Sequence, residues 1–529
     1  MGERQPLLKQ IDPWVFWPTA ALSLGFVLWG VIDHESLGRV TGDGLEWVIR
    51  NFGWVFVLST FSFLVLAVYL GLSRHGKIRL GRDDERPEFR TTSWVAMMFS
   101  AGMGIGLMFF GVTEPLSHLA TPPNDAARAN TPEAASVAME YSYFHWAFHP
   151  WAIYAIVGLS LAYFVYRKGQ RNLISTAFRP ILGDRVDGPV GRTIDSLALF
   201  ATLFGSATSL GLGALQINGG MDILWGVDNS NGIAVLIIAV LTAAFVLSAV
   251  SGVAKGIQWL SNSNMVLAGI LLLFLLVAGP TVFIFDMLTE AVGGYVTSIV
   301  PNSFRTGAFG DREWLGAWTI FYWAWWISWA PFVGTFIARI SRGRTIGQFV
   351  LGVLLIPSGV SFVWFAILGG SAIDLQLTGA ADLSAAVGQS PELALFTTLE
   401  QFPLADLTSF VVIVLVALFF VSGADAASVV MGMLSCRGRL DPPRSVVILW
   451  GLLMGAAASV LLLAGGLDAL QTAAILAAAP FLLVMIGLSV SLVMALSRDD
   501  PDAPLPAREA AERPGATTPV ADKVPAGAT

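Results

Sequence analysis

Trp323, Trp325, Trp326 and Trp329 fall within seven consecutive residues of FYWAWWISWAPFVG, Phe321 to Gly334. A second aromatic group, Trp146, Trp151 and Tyr154, stands in FHWAFHPWAIY, where Pro150 predicts a bend near Trp151. At helical spacing Tyr322 and Trp326 share one face, and Trp325 and Trp329 another. An indole face attracts a cation that offers no hydrogen bond, such as a quaternary ammonium, by about 0.5–2 kcal/mol. Three or four converging faces supply several of the roughly 8 kcal/mol that micromolar binding needs. Two other readings compete, an aromatic belt at a membrane interface and close packing of a buried core. The belt fits Trp14, Trp17, Trp314 and Trp318, at the ends of apolar runs. It fits Trp325, Trp326 and Trp329 poorly, because they lie roughly 16–22 Å along their run. Between a cage and core packing the choice stays open here.

A third constellation is FSAGMGIGLMFFGVTEPL, in which Gly102, Gly104 and Gly106 alternate. Each glycine disfavours helix by about 0.8–1 kcal/mol relative to alanine, so the run is expected to unwind. Unwound backbone is tolerated inside a bilayer only where protein buries it or it lines a cavity. Its free N–H groups then suit an anionic group and its carbonyls a cation. The competing reading makes Gly102 and Gly106 a helix-packing face, to which Gly104 is surplus. Pro331 and Gly334, just after the tryptophans, predict a second interrupted helix. Neither run carries Arg or Lys in its core, and no carboxylate stands at the glycines. Charge inside a bilayer needs a partner, which favours a zwitterion whose own carboxylate meets the glycine backbone. His145 and His149 are read as structural and Asp425 as a hydrogen-bonding anchor.

The elements that position these residues follow from composition. The chain has 529 residues, 55% hydrophobic and only 13% charged, with a mean hydropathy of +0.69. Its polar residues gather between apolar runs long enough to span a bilayer, which takes about 20 residues as a helix. The fold class is therefore an all-α polytopic membrane protein with about twelve transmembrane helices. The runs are 14–33, 48–72, 92–112, 139–166, 193–223, 232–251, 262–288, 314–338, 346–370, 404–434, 445–466 and 471–496. Segment 289–313 reads as an interfacial helix or loop. Interrupted third and eighth runs, five apart, fit a five-plus-five inverted repeat, 92–288 against 314–496, with 14–91 carrying two additional helices. The first run is too long for a signal peptide. Basic residues cluster in 73–91, 167–192, 339–344 and 437–444, which places both termini in the cytoplasm of a cell-membrane protein. The tail 497–529, rich in Pro, Ala, Asp and Glu, reads as disordered. A single cysteine, Cys436, excludes an intramolecular disulfide and a Cys-based cluster. No nucleophile–base pair or phosphate loop suggests an enzyme, no ring of charge suggests a channel, and no basic excess suggests a nucleic-acid partner.

The sequence resembles the betaine/choline/carnitine transporters over nearly its whole length. The signatures are AGMGIGLMFFGVTEPL, FHWAFHPWAIYAIVGL, FATLFGSATSLGLGALQI, FYWAWWISWAPFVGTFIARISRGRTI and FFVSGADAAS. The resemblance implies a leucine-transporter-type fold and a homotrimer in the lipid bilayer. In that family a trimethylammonium sits in an aromatic box, whose matching positions here are Trp146, Trp151, Tyr154 and Trp326. Trp325 and Trp329 match positions close to the site and on its cytoplasmic path. Gly102, Met103, Gly104 and Gly106 match the run that faces the carboxylate. Choline-carrying relatives tend to have aspartate at the position of Gly106, so its glycine points to betaine-like substrates. Sodium-coupled relatives hold two ions. One site matches Thr202, Ser206 and the ring of Phe332. The other matches Ser100, Met103, Phe419 and Ser422, with Gly423 where a second hydroxyl stands in the sodium-coupled pattern. The resemblance thus implies sodium-coupled import of glycine betaine, or a similar trimethylammonium or sulfonium zwitterion, with no resident cofactor. Sodium-independent exchange of betaine- or carnitine-type solutes and proton-coupled choline transport are the alternatives. The short mixed tail does not match the long basic C-terminus of osmosensing members.

Overall fold

The computed structural model describes residues 7–102, 104–251 and 254–499. The tail from residue 500 onward therefore lies outside the described residues. Among those described, the regular secondary structure is helical, apart from one isolated antiparallel bridge between Arg79 and Thr345. Nine described helices are long and apolar enough to cross a membrane. The chain is an all-α polytopic membrane protein.

The first two long helices are α1 (Pro13–Ile32) and α2 (His34–Leu72). The third apolar run is divided between α3 (Thr91–Gly102) and α4 (Ile105–Ala120), with Gly104 in an extended conformation, φ −174° and ψ −178°. The glycine run is thus a break in mid-span. The fourth run is also divided, into α5 (Pro132–Trp146) and α6 (Phe148–Ala162), at Ala147. Sequence placed that bend near Trp151. It falls one turn earlier because proline lacks the N–H that would bond the carbonyl four residues back and its ring crowds that carbonyl. The orphaned carbonyl of Trp146 instead accepts from Ser361 Oγ at 2.9 Å, and that of His145 from Trp326 Nε1 at 3.0 Å.

A long buried helix, α7 (Pro189–Trp225), is followed by α8 (Asn231–Ser251), α9 (Ala254–Ala278) and α10 (Thr281–Ser303). The seventh run therefore stops at Ala278, and α10 packs along α5 and the later helix α12 (Ile346–Leu377). The eighth run corrects the sequence reading. Helix α11 (Phe321–Ile340) continues through Pro331 and Gly334 without a break, and its irregular turn lies upstream, a π-turn at Gly316–Ile320. Gly334 serves close packing instead: a Cβ there would meet Val157 Cγ1 at 2.7 Å and the Gly158 nitrogen at 3.0 Å, both on α6. The chain ends with α13 (Ala405–Ser435) and α14 (Arg444–Ser497), the latter bent where Gly466 takes φ +62°.

Helix α7 packs against α14, α13, α11 and α4, and α6 packs against α11 and α2. At the end of the bundle bearing the Arg-rich loops, the basic face, the segments flanking α3 and α11 are stitched together. Leu80 N donates to Arg344 O and Gly343 N to Leu80 O, both at 2.8 Å. Arg339 grips Glu88 through two bonds of 2.7 and 2.8 Å, and Arg342 Nε meets Glu85 at 2.6 Å.

Candidate functional site

The break in the third run, the break in the fourth and the aromatic face of α11 meet at one place. A cavity of about 60 Å³ is lined by Gly104, Gly106, Trp146, Trp151, Tyr154, Trp325, Trp326 and Trp329, with Ser361 and Val333. Trp146 meets Trp326 edge-to-face with centroids 4.8 Å apart, and Tyr154 meets Trp326 at 6.2 Å. Trp151 and Tyr154 are 5.4 Å apart, at an interplanar angle of 77°. Trp325 stacks on Trp326 at 4.8 Å and on Phe321 at 5.6 Å. The rings of Trp146, Trp151, Tyr154 and Trp326 that line the cavity are crossed rather than uniformly stacked. Trp323 takes no part; it is buried on the other side of α11, stacked on His149 at 5.2 Å.

Gly106 is required by closeness. A Cβ there would stand 2.7 Å from Trp146 Cη2 and 2.8 Å from Trp325 Cη2. The first residues of α4 leave N–H groups without helical partners at the cavity wall, as every helix start does. The turn itself is braced, since Trp364 Nε1 donates to Leu107 O at 2.8 Å and Gln216 Nε2 to Met108 O at 2.9 Å. Met103 and the surroundings of Gly102 lie outside the described residues.

A second cavity, about 210 Å³, shares Gly104, Ile105, Trp329 and Val333 with the first and opens from it toward the basic face. It brings together Ser100, Ser206, Phe332, Phe419, Ser422 and Gly423 from α3, α7, α11 and α13. Ser206 Oγ is buried with no hydrogen-bond partner among the described residues. Thr202, one turn before it on α7, is buried and donates to Ala198 O at 2.8 Å, and it does not line this cavity. Ser422 Oγ donates to Leu418 O at 2.8 Å. No Arg or Lys is among the described residues lining either cavity. Asp425 is half-buried, and no partner for it is found among the described residues.

The residue that sequence reasoning passed over is Glu114, which lies inside a quoted motif on α4 and is fully buried. Its Oε2 accepts from Trp146 Nε1 at 2.7 Å and from the Tyr322 hydroxyl at 2.5 Å. Its Oε1 lies 2.7 Å from His145 Nδ1 and 3.3 Å from His118 Nε2. His145 Nε2 reaches Thr319 Oγ1 at 3.0 Å, while His149 Nε2 bonds Ser303 Oγ at 2.8 Å. Trp314 and Trp318, read from sequence as belt residues, pack around His118 at 5.0 and 4.6 Å instead. The belt reading fails for Trp314, which is buried, while Trp318 is only half-buried. Trp14 and Trp17 are exposed, as a belt requires.

Residues 14–501 match the family BCCT, described as betaine/carnitine/choline family transporter. The glycine betaine transporter OpuD of Bacillus subtilis is 49% identical, over 93% of this chain and 96% of its own. The betaine/ectoine transporter LcoP of Corynebacterium glutamicum is 42% identical, over 92% of this chain and 78% of its own. An ectoine/hydroxyectoine transporter of Virgibacillus pantothenticus is 41% identical, over 92% of this chain and 97% of its own. With the match extending over nearly the whole chain, this protein belongs to the BCCT family of transporters and is not an enzyme.

Proposed function

We propose that the chain imports glycine betaine, or a trimethylammonium or sulfonium zwitterion of similar size, by alternating access at the aromatic cavity, coupled to sodium. The observation that carries this reading is the meeting of crossed indole and phenol faces with the unwound start of α4 in one cavity. The faces suit a cation that cannot donate a hydrogen bond, and the free N–H groups beside Gly104 suit its carboxylate. Relatives named for glycine betaine support the substrate class. The absence of a carboxylate among the described lining residues and the closeness of both rings to Gly106 argue against choline, which brings no anion of its own.

In this reading the basic face is cytoplasmic, and the larger cavity toward it is the exit path. The helices make twelve spans, arranged as two five-helix repeats after two additional helices, in a homotrimer. Sodium is cargo alongside the zwitterion. The hydroxyl of Ser206, buried without a partner, offers lone pairs to a hard cation beside the Phe332 ring. Thr202, one turn earlier on α7 and outside the cavity lining, donates its proton to Ala198 O and would reach the same ion only by a shift of its side chain. Ser100, Phe419 and Ser422 surround a second position.

Uptake of labelled glycine betaine into proteoliposomes tests this, with an inward sodium gradient and with potassium in its place at the same pH. Uptake only with sodium is expected. Uptake indifferent to sodium but requiring betaine preloaded inside would replace symport by exchange.

A further inference from the structure

We propose that Glu114 is a positioning and charge-supplying residue of the substrate site, acting on a bound cation through Trp146. The inference rests on the reading of the aromatic cavity as a trimethylammonium site. Trp146 lines that cavity with its ring, while its Nε1–H points away from it, onto Glu114 Oε2 at 2.7 Å. An indole N–H only donates and an ionised carboxylate only accepts. Tyr322, His145 and His118 bring three further groups able to donate to the same two oxygens. Such a crowd of donors is the environment of a carboxylate rather than of an uncharged acid.

Three consequences follow for a cation on the Trp146 face. The bond fixes the ring, since Trp146 is held at its N–H by α4 and at its carbonyl by Ser361 of α12. The negative charge also stands one indole away from the cation, in a medium where charges act more strongly than in water. An N–H···O⁻ bond further polarises the indole, leaving more electron density on the face that meets the head group. No anion is among the described residues lining the cavity, so Glu114, behind Trp146, supplies the charge that the rings alone lack.

Glutamine can replace Glu114 while keeping the geometry. Its carbonyl can accept from Trp146 and Tyr322, and its amide can donate to His145 Nδ1 once that ring carries its proton on Nε2, toward Thr319. Glu114→Gln therefore removes the charge and leaves the ring held. Tert-butylacetate has the shape of glycine betaine with carbon in place of nitrogen, and hence no positive head group. Both ligands are to be titrated against labelled glycine betaine on purified wild type, Glu114→Gln and Glu114→Asp. The expected result is a loss of about tenfold in glycine betaine affinity in Glu114→Gln, with tert-butylacetate nearly unaffected. Glu114→Asp, which keeps the charge, is expected to keep the preference for the charged ligand. Equal losses for both ligands in Glu114→Gln would reduce Glu114 to a structural role and overturn the proposal, as would unchanged betaine binding. If Glu114→Gln does not assemble, Glu114→Asp decides, because loss of the preference there overturns the proposal and its retention supports it. Failure of the wild type to bind glycine betaine would remove the cavity reading itself, and this inference with it.

Discussion

At the scale of single residues, the site depends on side chains and on one missing side chain. Gly106 lets the edges of Trp146 and Trp325 come within 3 Å of where a Cβ would be, at 2.7 and 2.8 Å. Gly106→Asp is therefore expected to displace both rings and to abolish saturable glycine betaine uptake, while an assembled protein still elutes as one species in detergent. Uptake at wild-type affinity in that variant would show that the rings do not need their present positions. The aromatic residues were legible in the sequence because their spacing and depth suit neither a belt nor a simple helix stripe. Glu114 was not, since its four partners come from two other stretches and from its own next turn, and only folding brings them together. The mutual approach of Trp314, Trp318 and His118 was hidden for the same reason.

At the scale of elements, glycine and proline mean different things at different positions. Three alternating glycines opened the third span as their propensities predict. Pro331 and Gly334 did not open the eighth, because a proline inside a packed helix costs one hydrogen bond and Gly334 is used for contact with α6. Sequence supplies the local preference but not the neighbour that decides between a break and a close approach. Two substitutions separate these roles. Gly334→Leu is expected to cost about 1–3 kcal/mol by overpacking against Val157 and Gly158, or to prevent assembly. Gly104→Ala is expected to be tolerated, since nothing lies within 4 Å of the added Cβ and the extended backbone there suits any residue. Thermal unfolding in detergent reads both, and the reverse order of stability would contradict the assignment.

At the scale of the whole molecule, hydropathy placed most of the spans and Pro150 the bend of the fourth to within a turn, whereas the break at Gly279 needed the structure. The basic-face clamp joins the start of α3 to the end of α11, so that two of the helices bordering the larger cavity are tied at their ends. Its ions are partly exposed, and the Glu88–Arg339 pair is expected to contribute less than about 1 kcal/mol. The hydrogen bond from Arg339 holds the Glu88 carboxyl below its usual value of 4.5. Its contribution is thus fully present above that ordinary value and disappears as the pH falls through the lower folded one. The difference in unfolding temperature between wild type and Arg339→Gln should be constant at neutral pH and shrink only under acid conditions. A difference that instead grows with acidity would contradict the pairing.

The central claim is that the crossed rings at the broken spans hold the cationic head of the substrate, and equilibrium binding of labelled glycine betaine to purified wild type and Trp326→Ala tests it most directly. Trp326 touches Trp146, Tyr154 and Trp325 at once, so its removal opens the cage on three sides. Saturable binding by the wild type, weakened about tenfold or more in the variant, is the predicted result. Saturable binding of equal strength in both would place the substrate elsewhere and contradict the account.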